Sequence, residues 1–142
     1  MIEIEGYKII ENLLYSKDHL WIKIENNKAK IGITDYIQKN LHDIVYIELP
    51  EINSKIYKGK QIALIESIKT VSEINSPLTG KIIKINEELK SKPELINESP
   101  YENGWIAIIE PTNFEKEKND FLNFEKYIEY LRKIIEKEKD NI

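Results

Sequence analysis

The chain has 142 residues, 41% of them hydrophobic and 32% charged, which is enough to bury the core of one domain. With 21 Lys and Arg against 25 Asp and Glu its formal charge is -4, a balance that argues against sequence-independent DNA binding, which runs on clustered positive charge. The absence of Cys excludes disulfides, thiolate metal sites, Cys nucleophiles and iron–sulfur clusters, and two histidines, His19 and His42, are too few for a His-rich metal site.

From the N-terminus, Met1-Ile2-Glu3-Ile4-Glu5 is acidic and too short in apolar length for a secretory signal. No apolar run approaches the roughly 18 residues of a membrane span, so the expected location is the cytoplasm. Leu20 to Ile33 alternates around the turn cluster Glu25-Asn26-Asn27, which predicts a β-hairpin. Thr34-Asp35 then opens a short helix, with Asp35 as the expected N-cap, Gln38 in capping-box register, and Tyr36, Ile37 and Leu41 on one apolar face. Ile44 to Leu49 alternates again and stops at Pro50.

Lys58-Gly59-Lys60 is a turn into the strand Gln61 to Ile65, which ends near Ser67; another strand starts near Val71. Ser76-Pro77-Leu78-Thr79-Gly80 turns into the strand Lys81 to Ile85. Pro93 is placed to start a single helical turn through Ile96. Gly104-Trp105 opens the strand Ile106 to Ile109, closed by Pro111. Trp21 and Trp105 both begin apolar strands and are expected to be largely buried. Ile62 to Glu66 and Ile106 to Glu110 echo each other, either as convergent Ile-rich strands or as halves of a pseudo-symmetric β fold.

Beyond Asn113 the pattern turns helical. Thr112 with Glu115 reads as a capping box, and Phe121, Phe124, Ile128, Leu131 and Ile135 form a stripe at steps of three and four. Asn123 is a break and a new N-cap within it, and the charged stretch Glu136 to Asp140 is expected to fray. The whole reads as mainly β with added helices (α+β), a single domain over 1–142 with a β body at about 7–111 and a helical segment at about 113–140.

No catalytic constellation emerges: there is no G-x-S-x-G elbow, Walker loop or H-E-x-x-H. His19 and His42 read as structural hydrogen-bonding residues. The informative residue is Lys69, in the tight connection between two strands. A lone Lys in a turn is ordinarily just solvated. At a hairpin tip, however, its amine projects on a flexible stem for acylation while rigid strands fix its position. Its neighbours Glu66, Ile68, Val71 and Glu73 include no cation of the kind that activates a Schiff-base lysine.

These residues carry a resemblance. Tyr15-Ser16-Lys17-Asp18-His19-Leu20-Trp21, Gly32-Ile33-Thr34-Asp35-Tyr36-Ile37-Gln38, Asp43 to Pro50, Glu66-Ser67-Ile68-Lys69-Thr70, Ser76-Pro77-Leu78-Thr79-Gly80, Pro93 to Tyr101 and Gly104-Trp105 follow one another in the order and spacing of the glycine cleavage system H protein family, from about residue 7 to about 131. The chain closely resembles that family. A biotin carrier, whose attachment Lys typically lies between two Met residues, does not match, because Met1 is the only Met.

The resemblance implies a lipoyl-domain-like barrel-sandwich hybrid with a short internal helix and a C-terminal helical segment. It implies lipoate in amide linkage on Lys69, as cofactor of a monomeric carrier that is not itself an enzyme. The implied partners are the P protein (glycine decarboxylase), which loads an aminomethyl group, the T protein, which receives it, and the L protein (dihydrolipoamide dehydrogenase), which reoxidises the arm. A lipoate ligase or lipoyl transferase would attach the group; nucleic acid, membrane and metal are not implied. One position departs: Leu20 stands where the family usually has a Glu, in the cleft where the loaded arm docks. That leaves a second reading open, a lipoyl carrier for another redox pathway, such as sulfur oxidation with heterodisulfide-reductase-like complexes or lipoate relay. A third is an unmodified β scaffold with Lys69 merely exposed.

Overall fold

The computed structural model describes residues 1–141. In chain order it forms β1 (Ile2–Ile4), β2 (Tyr7–Ile9), β3 (Leu14–Tyr15), β4 (Leu20–Glu25), β5 (Lys28–Ile33), α1 (Asp35–Leu41), β6 (Ile44–Glu48), β7 (Lys55–Ile56), β8 (Gln61–Ser67), β9 (Val71–Asn75), β10 (Gly80–Ile85), α2 (Leu95–Glu98), β11 (Ala107–Pro111), α3 (Phe114–Glu117) and α4 (Phe124–Asp140). This is the mainly β architecture with added helices that the sequence predicts.

Two sheets enclose the main core. One has the order β3-β4-β5-β11-β10-β7 and the other β6-β8-β9, and every pairing in them is antiparallel. Period-two alternation sends Ile22, Ala29, Ile31, Ile82 and Ile109 from the first sheet and Ile47, Ile65 and Ile74 from the second into one cluster. The echoing runs Ile62–Glu66 and Ile106–Glu110 lie in strands hydrogen-bonded on both sides, β8 and β11. Burial in the middle of a sheet accounts for their shared Ile and Ala without a duplication.

A second cluster is aromatic. The hairpin β1–β2 turns through Glu5 and Gly6, both at positive φ, and lays Ile4 and Ile9 beside Tyr15, Trp21 and Tyr36. Across them α4 presents Tyr127, Leu131 and Ile135 at steps of four. The predicted stripe includes Leu131 and Ile135 but omits Tyr127, which is fully buried and stacks on Tyr15 with ring centroids 4.2 Å apart. Phe121, Phe124 and Ile128 lie at the margins, half-buried. Asn123 caps α4, its side chain accepting from the Lys126 N–H at 2.9 Å. The charged end is helical through Asp140 and tied to the N-terminal part by Glu138, which accepts from the Tyr36 hydroxyl, and by Lys139, 3.0 Å from Glu5.

Several local expectations are corrected. Thr34, not Asp35, is the N-cap of α1: its extended backbone turns Oγ1 onto the Ile37 N–H. Asp35 becomes the first helical residue, and its carboxylate instead accepts from the Lys8 N–H at 2.8 Å and the Gln38 amide at 2.7 Å. Thr112 caps nothing; its hydroxyl points to the Thr79 carbonyl, and Asn113 precedes α3 without a side-chain cap. The turn at Pro93 leads into a helix that starts at Leu95 and runs on to Glu98. Trp105 is only half-buried, packed at the margin of the aromatic cluster; the ammonium groups of Lys30 and Lys84 lie 5.3 and 6.0 Å from its centroid.

Candidate functional site

Strands β8 and β9 form a hairpin whose last ladder pair is Glu66 with Val71. The tip between them is built by one serine. Ser67 donates its N–H to the Thr70 carbonyl at 2.8 Å, while its Oγ accepts from the N–H groups of Lys69 and Thr70, each at 3.1 Å. A short polar side chain here satisfies two amides that a tight turn leaves without ladder partners. The Ile68 N–H donates to the Asp43 carbonyl at 2.9 Å and so pins the tip to the connection between α1 and β6. Ile68, Lys69 and Thr70 are all exposed. The Lys69 ammonium makes no ion pair among the described residues. The result is a primary amine on a long stem, free at its end and fixed at its base.

Along the outer edge of β9 runs a cleft of about 210 Å³ lined by Asp18, Leu20, Glu73, Ile74 and Asn75. Leu20 opens β4 opposite Ile33 and is 2% exposed, so it belongs to the core that floors the cleft. The carboxyl groups bordering the cleft come from Asp18 and Glu73, brought together from segments far apart in sequence. Glu73 and the Ser67 clamp are the parts of the site that sequence reading misses. A Ser two residues before an exposed turn residue is the only signal for the clamp.

His19 anchors the strand entrance that leads to Leu20. Its φ of 65° turns the chain sharply, and the Thr34 N–H donates to its carbonyl at 3.1 Å. The ring packs against Tyr36, Tyr127 and Tyr130, with Nδ1 2.9 Å from the Tyr127 hydroxyl. Burial holds the imidazole well below its ordinary 6.5, at about 4, against the opposing pull of the Asp18 and Glu138 carboxylates. The folded-state value is depressed, so the stabilisation is fully present above about pH 6.5 and is lost as pH falls toward about 4. The loss is at most about 3 kcal/mol. We expect the wild type to lose melting temperature over that window and His19→Asn, which tolerates the positive φ, to lose less. Parallel pH–stability curves would remove the claim. His42 is different: it closes α1 at a φ of 65°, donates its N–H to the Gln38 carbonyl at 3.1 Å, and is exposed.

Among the described residues no group of three or more His, Asp or Glu is placed to hold a metal ion, and no helix is long and apolar enough to cross a membrane.

Comparison with known proteins gives one consistent picture. The family model for the glycine cleavage H-protein matches residues 13–134. A probable glycine cleavage system H protein of Thermococcus kodakarensis is 46% identical over 135 residues, covering 94% of this chain and 100% of that one. The glycine cleavage system H protein of Oceanobacillus iheyensis is 46% identical over 122 residues, 86% of this chain and 96% of that one. The crystal structure of a glycine cleavage system H protein from Mycobacterium marinum superimposes with a TM-score of 0.70 at 32% identity, covering 73% of this chain and 87% of that one.

Proposed function

Because the chain belongs to the glycine cleavage H-protein family, we propose that it carries lipoate on Lys69 and shuttles its aminomethyl cargo from the P protein to the T protein, the L protein restoring the arm. It is a carrier subunit and not itself an enzyme. The observation that carries the site is Lys69 itself, exposed at a hairpin tip, without an ion-pair partner among the described residues, on a loop held by the Ser67 hydroxyl. These residues fit an amide-linked group: the amine is accessible, and nothing at the tip has to unfold to expose it. A lipoyl group there would supply the sulfur chemistry that a chain without Cys lacks.

What this chain contributes is presentation. The Ser67 and Asp43 contacts limit the motion of the lysine's base, so a tethered arm samples a small volume around the tip at high effective concentration. The cleft lies farther along β9, from Glu73 to Asn75, and Asp18 and Glu73 provide carboxylates suited to a cationic cargo. They take the part that a Glu at position 20 would otherwise play. The second reading, a lipoyl carrier for a different redox complex, draws on Leu20, which leaves the cleft floor apolar.

Decarboxylation of glycine separates the two readings. A purified P protein with carboxyl-labelled glycine should release labelled CO2 only when the lipoylated chain is added. A chain that is fully lipoylated yet supports no release would overturn the glycine reading in favour of the second.

A further inference from the structure

Strand register sorts charge onto opposite sides of the sandwich. On the outer face of the three-stranded sheet, Tyr46, Glu66 and Val71 lie in one cross-strand row and Glu48, Leu64 and Glu73 in the next. This face holds three carboxylates and no cation, and none of the three makes an ion pair among the described residues. It also holds exposed apolar surface, with Tyr46 49% and Val71 59% exposed, continued at the tip by Ile68 at 69%. Beside Tyr46 and Glu48 opens a mostly apolar groove of about 550 Å³ that Leu49, Pro50 and Ile52 also line; the charged residues that border it besides Glu48 are Glu51 and Lys90, whose ammonium is paired with Glu87 at 2.8 Å.

The outer face of the six-stranded sheet is the reverse. Lys23, Lys30 and Lys84 fall in a single row through Ile108, with Lys28, Lys55 and Lys81 in neighbouring rows and only Glu25 and Glu110 among them. Lys23 sits directly opposite Lys30 and Lys55 opposite Lys81, pairings that cost stability. A chain of net charge -4 thus carries a cationic back and an anionic front, and Lys69 stands at the edge of the front.

We infer that the anionic face of the β6-β8-β9 sheet is the docking surface for the ligase that acylates Lys69, and that this enzyme meets it with Lys or Arg side chains around an apolar floor. The inference rests on Lys69 being the modified residue. Unpaired carboxylates around exposed Tyr46 and Val71 and half-buried Leu64 complement such a surface, the groove beside Tyr46 accepts a projecting apolar side chain, and the patch is continuous with the tip. The lysine-rich back repels the same partner, so the dipole turns the molecule front-first before contact. Acylation removes the Lys69 charge and leaves the front more anionic.

The test is lipoylation of the full chain by a purified lipoate–protein ligase with ATP and lipoate, followed by intact mass. In that reaction lipoate and ATP first give lipoyl-AMP and pyrophosphate; Nζ then forms the amide with the lipoyl carbonyl carbon and loses a proton as the bond to AMP breaks and AMP leaves. At about 20 mM salt the double variant Glu48→Gln/Glu73→Gln should show kcat/KM lower on the order of tenfold, with kcat nearly unchanged. The difference should close above about 0.5 M salt, where screening lengths fall to a few ångströms. Lys23→Gln/Lys55→Gln removes two charges from the back and should not slow the reaction. The wild-type rate should itself fall with salt. A wild-type rate indifferent to salt, or a double variant equal to wild type at low salt, would overturn the docking surface while leaving Lys69 as the site. A wild type that takes up no lipoyl group would overturn the site and the docking surface together.

Discussion

Lys69→Arg yields a folded protein that accepts no lipoyl group. Arginine keeps the positive charge and much of the stem, but its guanidinium stays protonated above pH 12 and is not a nucleophile for acyl transfer. The Lys69 side chain takes no part in holding the tip, which is made by backbone N–H groups on Ser67 Oγ and the Asp43 carbonyl. An exposed substitution of this kind changes stability by no more than about 0.5 kcal/mol. Intact mass after incubation with ligase, ATP and lipoate should show one addition on the wild type and none on the variant, with superimposable melting curves. Addition to the variant would mean that another lysine is the acceptor. The loss is all or none, because the acceptor amine is the one that the clamped turn carries.

The largest expected cost to stability is that of Trp21→Ala. Trp21 is 1% exposed, its Nε1–H donates to the Pro100 carbonyl at 2.8 Å, and its ring lies flat over Gly32, where an added Cβ would come within 2.6 Å of the indole. The alanine variant opens a cavity between β4, β5 and the α2 region and deprives the Pro100 carbonyl of its indole donor. Large aromatic-to-alanine changes of this kind cost roughly 3–5 kcal/mol, which at this chain length lowers the melting temperature on the order of 10 °C or more. Trp105→Ala should cost much less, since its ring already faces solvent between Lys30 and Lys84. Thermal melts of the two variants side by side check the order. Equal losses would mean that Trp105 carries buried contacts as extensive as those of Trp21.

How far a sequence reads into this fold depends on how local the deciding contact is. The hairpin from Leu20 to Ile33 has its predicted bounds, because alternation of Ile with Lys and a double Asn at positive φ settle both strands and turn within a few residues. Lys69 lies between Ser67 and Val71 for the same reason. Asn123 caps α4 as its spacing demands. Where two candidates compete, the outcome depends on backbone angles that composition does not specify. Thr34 takes the cap from Asp35 because its own ψ is extended, and Asp35 is then engaged by Lys8, 27 residues away. Thr112 loses its cap role to Thr79, a neighbour in the turn before β10. The hairpin β1–β2 is too short to announce itself and is held by α4, whose residues are last in the chain. The cleft could be placed near His19 and Leu20 by resemblance, but its second carboxylate, Glu73, arrives only through the packing of β9 beside the entrance to β4.

That meeting of the first and last segments sets an order on synthesis. The bonds between them join His19 to Tyr127, Tyr36 to Glu138 and Glu5 to Lys139, which lie 108, 102 and 134 residues apart. A ribosome adding about 5–20 residues each second takes on the order of 10 s to travel from one side of such a contact to the other. Once residue 111 is added the sandwich core, drawn from residues 20–109, has all its strands, while Tyr15, Trp21 and the β1–β2 hairpin still wait for a helix not yet made. The nascent carrier therefore passes through a stage in which the Lys69 hairpin is already complete and an aromatic surface is still open. That surface is where a chaperone would engage the chain, and translation of the final helix is the event that releases it.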